Sequence, residues 1–504
     1  MNKKGNRMKE HVKNKRFMNI ILTAAVFILG LMICCGYVTG HYSADDYNIM
    51  NKGYNEYSIV NNLKEGRPIM FVIDQAALAI NMSYDVFIIL TVIIAIFFTS
   101  INVVMIYNQF ISNISIHSKT IKLLLLMTVF STIFCFTYIE NLYFVESIVM
   151  AMSLVCYTIA AKHIVATGKK NLLIGALWAT LAMFLYNGFE CYFVTIIVLF
   201  SMLNHKDERS ERDKTIIKNI LIAAGIILVT VVFNMIQIKL ACMEFHIENN
   251  RVGGLSQICG NAIYILSYFP EIVTDTMGLF PKYLYAGILC ALCTVSLINA
   301  IIHKNYESIA NIIILLPISI LSCFAVSFVS LSSFGTGRLC YGIGMAIGLA
   351  LLVPFIDSFW KEKTIFTYVW IFFAIAYFMG NAYNYMDIIH SHKQVNMLEK
   401  EEISQIQQLV RNYEAENNVT VKYLSIVCRD YTKGKYYPQV KRKCGVTVKG
   451  TACEWSCLGT IHYYSDLRLT KAKLTSQQLE DYKKRNTITP YCIDNRLVCT
   501  AFDW

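Results

Sequence analysis

Two adjacent carboxylates, Asp45 and Asp46, stand in the stretch "GHYSADDYNIMNKGYNEYSIVNNLKEGRPIM", just after the first long apolar run of the chain. Like charges side by side raise the pKa of one member toward that of a working general base. Arg67 ("EGRPIM") follows in the same stretch, and Arg338 ("FGTGRLCYG") opens a late apolar run. The planar guanidinium fork of arginine suits phosphate oxygens. Glu140 and Glu146 bracket the short turn "ENLYFVE", with Glu140 the preferred functional member, and "YNGFE" (Tyr186 to Glu190) interrupts another apolar stretch. Irregular backbone at membrane depth is tolerated mainly where it lines a cavity, so Tyr186, Asn187 and Glu190 are candidates for holding sugar hydroxyls. Arg251, in "ENNRVGG", is a further candidate. Each of these also has a plain structural reading: a solvated loop start for the aspartates, a snorkelling anchor for Arg338, a tight loop for "YNGFE".

The elements that must position these groups are membrane helices. A chain of 504 residues with 56% apolar and 16% charged composition and a mean hydropathy of +0.47 is too apolar for an ordinary soluble enzyme. Apolar stretches near 18–40, 84–107, 120–139, 144–164, 217–240, 281–302, 309–330, 339–356 and 364–384 each read as a span. The run 171–203 is too long for one span and reads as two short helices meeting at "YNGFE". The expectation is a polytopic α-helical membrane protein with about 11 transmembrane helices. Lys3, Lys4, Arg7, Lys9, Lys13, Lys15 and Arg16 place residues 1–17 in the cytoplasm by the positive-inside rule. Alternation then puts "ADDY", "YFVE", "YNGFE" and "FGTGR" together on the extracytoplasmic side. The segment "NAIYILSYFPEIV" is amphipathic and broken by proline, which fits a helix lying in the interface.

Beyond the transmembrane region (18–384) the composition turns polar, and residues 385–504 read as a small extracytoplasmic α+β domain with short strands such as "VTVKYLSIVC" and "CGVTVKG". Its six cysteines, Cys428, Cys444, Cys453, Cys457, Cys492 and Cys499, are an even set in a compartment that permits disulfides, with no pairing selected by spacing. Cys453, Cys457 and His462 offer a zinc set as the competing use. Signatures for phosphate-cradling loops, serine hydrolases and zinc peptidases are missing, and the excess of 11 positive charges divides between topology signal and basic tail, so nucleic acid is not a partner.

A first helix followed by "ADDY", then "GR" some twenty residues on, a tyrosine-containing break and a late "GR" resembles the bacterial membrane glucosyltransferase domain family, of GT-C-like architecture. The resemblance covers most of residues 18–384. It implies transfer of a hexose, glucose by the family's name, from a polyprenyl-phosphate donor to a surface polysaccharide or teichoic-acid-like acceptor outside the cell membrane. On that reading Asp45 or Asp46 is the base or holds a divalent cation, magnesium or manganese; Arg67 and Arg338 bind the lipid phosphate; Glu140, Tyr186, Asn187 and Glu190 shape the sugar pocket. Two other classes remain: a flippase or exporter of a lipid-linked saccharide, and a wall-binding or sensory protein in which the tail does the work. Charge gathered at one face, rather than at the midplane of several spans, distinguishes the transferase from the transporter.

Overall fold

The computed structural model describes residues 2–204, 209–248, 258–304, 306–325, 336–357, 364–430, 433–485 and 488–502. Each stretch expected to span contains a helix among the described residues, from Asn2–Ile33 through Tyr84–Asn113, Lys119–Ile133, Ser147–Val165, Lys169–Leu185, Glu190–Asn204, Arg209–Glu244, Leu284–His303, Glu307–Ser322 and Tyr341–Ile356 to Ile365–Asn417. Among the described residues six helices are long and apolar enough to cross a membrane, or seven if Lys119–Ile133 and Phe136–Tyr143, bent by 47° at a break, form one span. Length and composition thus support six or seven of the expected crossings of about 11. Glu190–Asn204, Glu307–Ser322 and Tyr341–Ile356 have only 15, 16 and 16 residues. At ~1.5 Å per residue they fall short of ~30 Å of hydrocarbon. This is the arrangement of a multi-pass membrane protein, with Leu221, Leu228 and Leu240 exposed along one helix where lipid tails would cover them.

The bundle is organised around Tyr341–Ile356, whose side chains are all buried. Its neighbours reach it through hydrogen bonds to main-chain carbonyls: Tyr285 Oη donates to Ile343 O (2.8 Å) and Trp370 Nε1 to Leu351 O (3.0 Å). In turn Tyr341 Oη donates to Ile133 O at 2.6 Å. In an apolar medium a polar tip without such a partner is costly, so these bonds set the register between helices.

Ile365–Asn417 runs for 53 residues without a break, out of its apolar half and into a second core. There Ile403, Ile406 and Val410 pack with Leu424, Ile461 and Leu497. The strands form one mixed sheet in the order Thr470–Lys471, Tyr423–Arg429, Arg496–Phe502, Tyr491–Ile493, parallel except for the last pair. The expected strand at "VTVKYLSIVC" is present as Tyr423–Arg429, but "CGVTVKG" is not a strand. It forms tight turns, because the Thr447 hydroxyl accepts the Cys444 N–H (3.1 Å) and donates to Arg442 O (2.7 Å), so local side-chain bonds replace a ladder. The tail is moored to the bundle by Arg442, which reaches Asp387 (2.6 Å) and Asn384 Oδ1 (2.7 Å). Among the described residues no disulfide joins the even set in the tail, where Cys444, Cys453, Cys457 and Cys499 are core side chains.

Candidate functional site

The two aspartates have different surroundings. Ser43 caps the helix Ala44–Tyr57: its Oγ accepts the Asp46 N–H at 3.1 Å while Asp46 Oδ2 accepts the Ser43 N–H at 2.6 Å. This reciprocal box satisfies two otherwise orphaned donors at the helix start. Burial pushes the Asp46 carboxyl well above its ordinary range; the bonds from Ser43 oppose that and Asp45 adds to it. Asp45 is half-exposed at the rim. Its Oδ1 accepts the indole N–H of Trp455 at 3.0 Å, and its charge is felt at Glu146, Tyr57 and Tyr143.

Arg67 lies beside this carboxylate group, almost wholly buried, 3.0 Å from Glu65 and 3.6 Å from Glu146. Tyr57 Oη donates to Glu146 at 3.0 Å, and the guanidinium carbon stands 5.2 Å from the centre of the Tyr186 ring. Burial raises the Glu146 carboxyl, Arg67 draws it back and Asp45 pushes it up again, with a net rise. The loop carrying Arg67 is gripped from two sides. Asn234 Nδ2 donates to Gly66 O (2.8 Å) and Asn187 Nδ2 to Glu65 O (3.0 Å). Gly66 adopts φ +81°, and a Cβ there would come within 2.3 Å of Asn234 Oδ1, so the turn accepts no side chain. Below it Asp74, on the short helix Pro68–Ala79, accepts from Asn62 Nδ2 at 2.7 Å. Its burial, reinforced by Glu146, lifts the carboxyl to about 8.

Arg338 occupies the other side of Tyr186. Its guanidinium carbon lies 4.0 Å from the centre of the Phe144 ring, and its main-chain N–H donates to Glu140 Oε2 at 3.1 Å. Among the described residues its side chain forms no ion pair. Both arginines act electrostatically on the Tyr186 phenol, as do Glu146 and Glu190. The structure thus gathers Asp45 and Arg67 about Glu146, with Arg338 reaching the same group through Tyr186. Asp46 and Asn187 are engaged with main-chain groups instead, and Glu140 both accepts the Arg338 N–H and feels the Arg338 charge. Glu190 is buried at the start of its helix with Oε2 lacking a hydrogen-bond partner, close enough to act on Tyr157. Arg251 lies outside the described residues.

Tyr57, Glu65, Asp74 and Trp455 were not expected, and Glu146 was ranked behind Glu140. Glu65 sits two residues before Arg67, a spacing that offered a signal. Trp455 offered none, being 410 residues from Asp45.

The residues fit a resident cation poorly. Among the described residues no three His, Cys, Asp or Glu side chains are grouped to hold one. Asp45 and Asp46 turn to different partners, and the place between Glu65 and Glu146 is taken by the Arg67 guanidinium. The alternative set in the tail fails likewise: His462 meets Asn51 Oδ1 (3.0 Å) and accepts the Leu469 N–H (3.2 Å), which uses both ring nitrogens. The site does pair a partly exposed carboxylate, Asp45, with a guanidinium, that of Arg338, which forms no ion pair among the described residues, and such a pair can deprotonate a hydroxyl and receive a phosphate.

A family model described as "Glucosyl transferase GtrII" matches residues 34–355, a span that holds Asp45, Arg67, Glu146, Tyr186 and Arg338 and leaves out Trp455. No curated protein and no solved structure matches the chain.

Proposed function

The chain belongs to the glucosyl transferase GtrII family, and from that premise we propose that it moves glucose from a polyprenyl-phosphate donor to a surface glycan or wall polymer at the extracytoplasmic face. The observation that supports this reading best is the juxtaposition of Asp45 with Glu146, Arg67, Tyr186 and Arg338 at one end of the bundle. About eleven crossings with residues 1–17 inside and 385–504 outside belong to the same proposal, the shorter helices spanning where the bilayer thins around the bundle.

Asp45 takes the proton from the acceptor hydroxyl. The freed oxygen attacks C1 of the sugar, the bond from C1 to the phosphate oxygen breaks, and polyprenyl phosphate leaves with the electron pair. A single displacement inverts the anomeric carbon. Arg338 receives the phosphate, since among the described residues its guanidinium is held in no ion pair. Arg67, already balanced by two carboxylates, orders Glu146 and Tyr186 and adds positive potential behind the leaving group. Asn187 and Glu190 frame the sugar from the "YNGFE" break, and Glu140 holds the Arg338 turn in place. No step is assigned to a metal, because the carboxylates that would hold one are differently engaged.

The test uses the detergent-purified chain with polyprenyl-phosphate glucose, reading released polyprenyl phosphate. Asp45→Asn should lower release by roughly a hundredfold to ten-thousandfold, the usual range for a lost base. Full activity in that variant would remove Asp45 from the chemistry. No release from the native chain, with a lipid-linked saccharide nonetheless moved across proteoliposomes, would make the protein a transporter.

A further inference from the structure

Trp455 lies a hundred residues beyond the family match, in the polar tail, yet its indole N–H meets the carboxylate assigned as the base. We propose that Trp455 is a positioning residue of the transfer site, so that the tail completes the active site of the bundle. The proposal rests on the transferase reading above.

Three observations carry it. The contact itself is a charge-assisted hydrogen bond of 3.0 Å to Asp45 Oδ1, the strong class. The segment that presents the indole is braced. The Cys457 N–H donates to Cys453 O (2.9 Å), Ser456 Oγ donates to Gly450 O (2.6 Å) and Lys471 Nζ donates to Glu454 O (2.8 Å). The helix that follows, Cys457–Tyr464, lies directly on the helix bearing Asp45. A Cβ at Gly459 would come within 2.1 Å of Tyr47 O, so only glycine permits that approach. Finally, the indole is 39% exposed, whereas the Asp46, Glu146 and Tyr186 side chains are buried. It therefore stands at the rim, where an acceptor must arrive.

A donor to the charged form of a carboxylate keeps it ionised and aimed. A tryptophan is suited to this because it donates and cannot accept, so it offers the base no competing protonation state. The tail thereby makes a competent base conditional on its own docking.

The experiment uses the full chain in detergent with polyprenyl-phosphate glucose as the probe and water as acceptor, following polyprenyl phosphate across pH. Trp455→Phe keeps a ring and removes the donor; Trp455→Met serves if the first variant does not fold, as judged by its unfolding temperature. The expected result is about a tenfold or greater fall in kcat with the donor KM unchanged, and an acid limb of the rate profile moved about one pH unit upward, since the base loses a bond that favoured its charged form. A kcat and a profile equal to those of the native chain, with Asp45→Asn inactive, would overturn the role of Trp455 and leave the transferase reading standing. A native chain that releases nothing overturns both.

Discussion

At the residue scale, two neighbours of one charge and one type have different surroundings, because one is buried and the other partly exposed. Asp46 closes the capping box with Ser43, so Asp46→Asn should cost about 1 kcal/mol of stability, as cap substitutions do, while release of polyprenyl phosphate falls far less than in Asp45→Asn. The unfolding temperature and the release rate of the two variants separate the roles. The arginines divide in the same way. Arg338→Lys keeps the charge and loses the fork, and should raise the donor KM about tenfold with stability unchanged. Arg67→Ala strands Glu146 in a buried position and should cost about 3–5 kcal/mol, visible as unfolding before any assay. Composition placed arginines and carboxylates at one face, but it offered no means of ranking Glu146 above Glu140. That order depends on which carboxylate enters an ion pair, Glu146 with Arg67, and the two residues are only six apart in a turn.

At the element scale, the site depends on two grips. The first is the loop around Gly66, which helix Arg209–Glu244 holds through Asn234. Gly66→Ala both forces a positive φ on a residue with a Cβ and collides with Asn234, so it should cost more than about 1 kcal/mol and weaken donor binding, read as a higher KM. The second is the join of helix Ile365–Asn417 to the tail and to helix Ala44–Tyr57. Glu399 accepts from Tyr47 Oη (2.6 Å), from the Gly450 N–H (2.5 Å) and from Asn396 (3.0 Å). Burial lifts its carboxyl from 4.5 to about 7, with those three bonds opposing and Glu402 adding to the rise. A carboxyl raised in the folded state binds more protons there than in the unfolded chain, so its contribution to stability falls as pH climbs from 4.5 through 7. His41 and His392, lowered by burial to about 4 and about 3, contribute the opposite slope below their ordinary value of 6.5. The difference between the native chain and Glu399→Gln isolates the first effect: it should change by about 2–3 kcal/mol between pH 5 and 8, read by denaturant unfolding. A difference independent of pH would remove Glu399 as the titrating group at this join.

At the scale of the whole molecule, the tail meets the bundle where the Trp455 indole donates to Asp45, and on the proposed reading a chain ended after Asn417 should insert in the membrane yet release polyprenyl phosphate at least about tenfold more slowly, for want of that donor. Membrane extraction and the release assay on that shortened chain check the two halves of this expectation. The apolar runs, the break at "YNGFE" and the polar tail were legible from the sequence alone, because a bilayer imposes length and hydrophobicity residue by residue and needs no partner to do so. The resemblance carried by "ADDY" and the two "GR" motifs was legible too, and the family match over residues 34–355 agrees with it. Helix length was not, since a run that looks like a full crossing in a hydropathy profile folds into a helix of only 15 or 16 residues. The division of labour between Asp45 and Asp46, the pairing of Arg67 with Glu146 and the arrival of Trp455 were decided only by tertiary structure. Each depends on which groups meet across long separations in the chain, and a hydrogen bond or ion pair has no trace in local composition until folding brings its two ends within about 3 Å.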